Sequence, residues 1–172
     1  MSSTPDDAFA AGSDREGDAG RAADPRSLRQ SAIAALARRD HSRAELRRKL
    51  LRGDADAAEV DLVLDALEAE RLLSDRRFAE GMVRSRAARY GSQRVAGDLR
   101  MRGVGEVADE LVAELKAGDE ERARQLWSRK FGTPAADAAG RARQMRFLQA
   151  RGFPAEVIRR VVPRAASRDI DD

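Results

Sequence analysis

Arginine carries most of the chemistry available to this chain. The densest run lies between Arg84 and Arg102, where Arg84, Arg86, Arg89, Arg94, Arg100 and Arg102 are accompanied by a single acid, Asp98. A guanidinium presents a planar fork of donors that suits carboxylates and phosphates, so the run points to binding of an acidic or phosphate-bearing surface. Two smaller clusters repeat the theme, Arg43, Arg47, Arg48 and Lys49, then Arg141, Arg143, Arg146 and Arg151. Tyr90 and Phe131 occupy matching turn positions beside the later clusters. Such an aromatic is either a stacking platform for a base or a core residue that closes a module.

The residues an enzyme needs are nearly missing. His41 is the only histidine and there is no cysteine, which excludes disulfides, thiolate ligands and cysteine nucleophiles. The glycines are isolated, and none opens a phosphate-binding loop with a following Lys-Ser or Lys-Thr pair. Acid pairs such as Asp54 with Asp56, or Glu68 with Glu70, lie in an acidic stretch with no His, Asn or Gly turn beside them, so a solvated surface explains them better than metal ligation. The expectation is a binding protein with no cofactor and no metal, not an enzyme. No apolar run approaches the roughly 18 residues of a membrane span. With no basic-then-apolar leader at the N-terminus, a cytoplasmic location is expected.

Helices must position the arginines. Leu28, Ala32, Ile33 and Leu36 share one face of a first helix. Ser42-Arg43-Ala44-Glu45 reads as a capping box opening a short helix with Leu46 and Leu50 inward, closed by Gly53. Val60, Leu64 and Leu67 line a third helix. The pattern then recurs. Ser74 caps a helix with Phe78, Met82 and Val83 inward; Ser92 starts a short one with Val95 and Leu99, ending at Gly103; Val107, Leu111 and Leu115 line another. A third round carries Ala123, Leu126 and Trp127. Thr133 then caps and Pro134 opens a middle helix about two turns longer, with Met145 and Leu148, and Val157, Ile158, Val161 and Val162 line the last helix.

Closing glycines at 53, 103 and 152, with caps Ser42 and Ser92, set a repeat of 49 to 50 residues. Helices this short are marginal alone in water and must pack on each other and on the next unit. The expected fold class is therefore all-α, a tandem array of three three-helix modules at 27–73, 74–117 and 118–163. Residues 1–26 and 164–172 are expected to be disordered tails, since Ser, Asp, Gly, Ala and Pro bury too little apolar surface to offset ordering entropy. Six acids against three arginines leave residues 1–26 at −3, and the body at 27–162 at +7. A basic body favours acidic or phosphate-bearing partners. A helix-turn-helix over Ser92–Leu115 has the right outline, but Glu106, Asp109, Glu110 and Glu114 make its second helix a poor fit to a DNA groove.

Three stretches resemble one family in order. Leu73-Ser74-Asp75-Arg76-Arg77-Phe78-Ala79, Ser85-Arg86, Tyr90-Gly91-Ser92 and Leu99-Arg100-Met101-Arg102-Gly103-Val104 are similar to the central motif of the RecX recombination regulators. Ser42-Arg43-Ala44-Glu45-Leu46 with Lys49-Leu50 resembles their first module, and Arg143 to Leu148 with Arg151-Gly152-Phe153 their third. The chain departs from the pattern at Leu50-Leu51-Arg52-Gly53, where the family more often has one residue more before the glycine. The resemblance implies a curved, elongated array lodged in the groove of the RecA–single-stranded DNA filament, suppressing its ATP hydrolysis, strand exchange and co-protease activity. The expected contact face is Arg77, Arg84, Arg86, Arg89, Tyr90, Arg94, Arg100 and Arg102, where basic density coincides with the central motif. The expected protein is a monomer with no membrane contact and weak single-stranded or duplex DNA contact. The competing reading is a general DNA-binding module that acts by competing for single-stranded DNA.

Overall fold

The computed structural model describes residues 25–53 and 55–164; the expected acidic tail up to residue 24 and the end of the chain from residue 165 lie outside them. Among the described residues the chain forms nine helices and no strand: α1 Pro25–Leu36, α2 Arg43–Leu50, α3 Ala57–Ala69, α4 Asp75–Arg86, α5 Ser92–Met101, α6 Gly105–Ala117, α7 Asp119–Lys130, α8 Ala138–Gln149 and α9 Ala155–Val161. They gather in threes around three apolar cores. Leu28, Ala32, Leu46, Leu64 and Leu67 belong to the first, Phe78, Met82, Val95 and Leu99 to the second, and Trp127, Leu148, Phe153 and Ile158 to the third. Each core takes its residues from helices too short to stand alone, so every module is a cooperative set.

The repeat is tighter than the glycines suggest. Leu50, Leu99 and Leu148 are buried 49 residues apart at equivalent places on the middle helices α2, α5 and α8. Gly103 and Gly152 share a left-handed backbone with φ of 78° and 77°, whereas Gly53 has no positive φ and is not their equivalent.

Several local expectations change. The cap of α5 is Gly91, with Ser92 as the first helical residue, because the Ser92 hydroxyl is engaged by Asp119 of α7. Thr133 does not cap α8: the Asp137 carboxylate accepts from the Gly140 amide at 2.6 Å. The helix therefore has 12 residues against 10 in α5, instead of two extra turns. The Thr133 carbonyl instead accepts from the Gln144 side chain, whose own oxygen receives the Trp127 indole N–H. Ser42 accepts from the Glu45 amide at 3.1 Å, but Glu45 does not close the box; its carboxylate is drawn to Arg39 and Arg102. Ile33 is 40% exposed, since Ala35 with Leu28 and Ala32 fills the buried stripe of α1.

Candidate partner-binding face

The middle helices meet at their ends, and this sets where the arginines point. Next to the N-terminus of α2, the Ser42 hydroxyl donates to the carbonyl of Arg102 at the end of α5 (2.6 Å). At the N-terminus of α5, the Gly91 and Gln93 amides donate to the Arg151 and Gly152 carbonyls beyond α8, at 2.9 and 3.2 Å. Spare carbonyls at a helix end are thus satisfied across both boundaries, by a hydroxyl at the first and by helix-start amides at the second.

A second contact recurs at each boundary. Asp75, first residue of α4, accepts from the Arg43 amide at 2.7 Å, and Asp119, first residue of α7, accepts from the Ser92 amide at 3.1 Å. Each acid opens one module while capping the middle helix of the module before it. The glycines permit the approach: a Cβ on Gly103 would lie 2.5 Å from the Ala44 Cβ, and one on Gly152 would lie 2.4 Å from the Arg94 Cβ.

Against this scaffold the eight expected contact residues divide by what already holds them. Arg77 donates to the Arg71 and Leu72 carbonyls and to Asp40 (3.0 Å), and so braces the turn from α3 to α4. Arg86 pairs with Asp98, joining α4 to α5. Arg102 pairs with Glu45, joining α5 to α2. Burial alone would raise the Glu45 carboxyl; hydrogen bonds from Arg39 and Arg102 outweigh it and hold the group below its ordinary range. Arg100 sits 3.6 Å from Asp109, both well exposed, a pairing worth little in water.

The remaining four lie in or next to the turn from α4 to α5. Arg84 and Arg89 are exposed and make no ion pair among the described residues. Arg94 is exposed and places its guanidinium 5.1 Å from the centre of the half-buried Tyr90 ring; that of Arg86 lies 6.0 Å from it. Both are within cation–π range. A groove of about 510 Å³ lies at the boundary of the first two modules, lined by Phe78 and Met82 together with Arg39, Arg86 and Arg102, and Arg86 links it to the Tyr90 ring. The turn and the helix ends beside it thus carry a half-buried aromatic and three exposed guanidinium groups free of ion pairs among the described residues. Together they can hold acidic side chains or phosphates without disturbing the pairs that maintain the fold. Helical spacing does not reveal the pairing acids Asp40, Glu45 and Asp98 or the capping acids Asp75 and Asp119; an acid opening the second and third modules is the one signal the sequence offers for them.

No described helix is long and apolar enough to cross a membrane. Family models for the first, second and third three-helix domains of RecX match residues 29–67, 74–114 and 118–162. Regulatory protein RecX of Ralstonia pickettii is 47% identical over 139 residues, covering 80% of this chain and 87% of that protein. Regulatory protein RecX of Herbaspirillum seropedicae is 48% identical over 136 residues, covering 78% and 88%. The crystal structure of RecX from Lactobacillus salivarius superposes with a TM-score of 0.68 over 80% of this chain and 93% of that one, at 17% identity, a likeness of fold.

Proposed function

The chain belongs to the RecX family of regulatory proteins, and on that premise we propose that it binds the RecA–single-stranded DNA filament and suppresses its ATP hydrolysis, strand exchange and co-protease activity. The observation that carries the proposal is the uncommitted guanidinium set around Tyr90, held on a scaffold that uses its other arginines internally. A filament repeats the same acidic surfaces and bound DNA at regular intervals. Three linked modules can engage several of them at once, so that individually weak contacts act together. Arg84, Arg89, Arg94 and Tyr90 make the contact, Arg100 adds to it, and Arg77, Arg86 and Arg102 keep the face in shape.

The test is the ATPase activity of RecA on excess single-stranded DNA, followed while this protein is added well below the RecA concentration. Strong suppression is expected, because one bound molecule affects many subunits. Suppression that begins only when the protein matches the available DNA sites would mean competition for DNA, and the filament reading would fall.

A further inference from the structure

A second cationic site lies on the first module. A pocket of about 290 Å³ opens beside α2, lined by Arg39, His41, Glu45, Arg48, Lys49 and Arg52. Arg48 and Lys49 lie three and four residues after Glu45, and Arg52 lies four and three residues after them, the spacing of one helical face continued into the turn beyond it. Arg39 is committed to Glu45 at 3.0 Å, but Arg48, Lys49 and Arg52 are exposed and make no ion pair among the described residues. The imidazole of His41 is only 8% exposed, and its buried Nδ1 makes no hydrogen bond, lying 3.5 Å from Glu45 Oε2. Such an unpartnered group is rare in a native fold and calls for an explanation.

We propose that this pocket binds a phosphodiester group of single-stranded nucleic acid, with Arg48, Lys49 and Arg52 around its oxygens and His41 as the wall behind it. Three uncommitted cations around one cavity supply charge and donors for the two non-bridging oxygens of a phosphodiester, and the lining favours that group over a protein carboxylate. The lining contains no apolar side chain, so a protein partner would find no anchor of the kind that holds interface cores together. A nucleic acid backbone needs only charge and donors. The site gives the protein its own grip on the DNA strand, on a different module from the face around Tyr90.

Because His41 is the only histidine, its imidazole signals in the full-length, isotopically labelled chain report on this pocket alone. Titration with a short thymidine oligonucleotide should shift them, in wild type and in R84E/R89E alike. R48E/R52E should bind the oligonucleotide roughly tenfold more weakly, with a log–log salt slope shallower by about 0.7 for each phosphate that is no longer neutralised. R48K/R52K should keep most of the affinity, and unchanged helicity by circular dichroism verifies each fold; should R48E/R52E fail to fold, Lys49→Gln is expected to show the same loss in smaller degree. Oligonucleotide binding that leaves His41 unmoved, undiminished affinity in the folded charge-removal variants, or no oligonucleotide binding would overturn the proposal. An equal shift from a polyglutamate peptide at the same ionic strength would reassign the pocket to a protein partner.

Discussion

The two module boundaries use the same plan with different materials. Between the first and second modules, the close contacts pass through side chains: Ser42 to the Arg102 carbonyl, Arg102 to Glu45, Arg77 to Asp40 and Asp75 to the Arg43 amide. Between the second and third, backbone meets backbone, with Gly91 and Gln93 donating to Arg151 and Gly152. There the capping acid Asp119 is fully buried, bound by Ser92 and Arg122. Long charged side chains exposed to solvent are screened by salt and can re-pair, whereas backbone contacts and a buried acid cannot. The partly exposed arms of Arg77 and Arg102 make the first boundary the one more open to salt. The cleft lined by Arg39, Arg86 and Arg102 lies at that boundary.

The sharpest way to break the contrast is at Gly152. Its left-handed φ and the 2.4 Å approach to Arg94 leave no room for a side chain. Gly152→Ala should destabilise by roughly 2–5 kcal/mol, from backbone strain plus overpacking, read as a lower urea midpoint. Asp119→Ala leaves the Ser92 amide and hydroxyl buried without their acceptor, and should cost about 2–4 kcal/mol by the same measurement. Glu45→Gln weakens the more open boundary and should cost only about 1–2 kcal/mol, because its partners Arg39 and Arg102 are partly solvated.

The pH dependence sharpens the comparison further, with still smaller effects. Burial first, then the nearby Arg39 charge, lowers the His41 pKa below its ordinary 6.5. The unfolded chain takes up a proton near pH 6.5 and the folded chain does not, so stability should fall as pH drops below 6.5 toward the folded value. In His41→Gln that slope should vanish from the melting temperature. Glu45 has a lowered pKa from an ordinary 4.5, so its contribution is present above 4.5 and lost as pH falls through its folded value. Glu45→Gln should remove that lower-pH part and, by deleting the carboxylate that raises the His41 pKa, lower that pKa further and enlarge the His41 part.

Much of the fold is legible in the sequence because it rests on spacing within single helices. Leu46, Leu50, Val95, Leu99 and Leu148 fall inward as the helical period requires, and Asp119 does open the third module. The choices made between distant residues are not legible in the same way. Ser92 and Thr133 both look like caps, but Asp119 and Asp137 hold the competing positions. Local sequence supplies a capable hydroxyl and not the carboxylate that arrives from another helix. The arginine cluster is equally visible, while its division is not. Arg86 and Arg102 look the same as Arg84 and Arg94 in sequence, and only the pairing acids Asp98 and Glu45 separate those that hold the fold from those left open to a partner.

That separation is tested most directly by reversing the uncommitted arginines together. The variant R84E/R89E/R94E should retain the wild-type helicity and melting temperature but lose suppression of RecA ATPase activity at substoichiometric protein. Full suppression by the folded variant would show that the face around Tyr90 is not where this protein meets the filament.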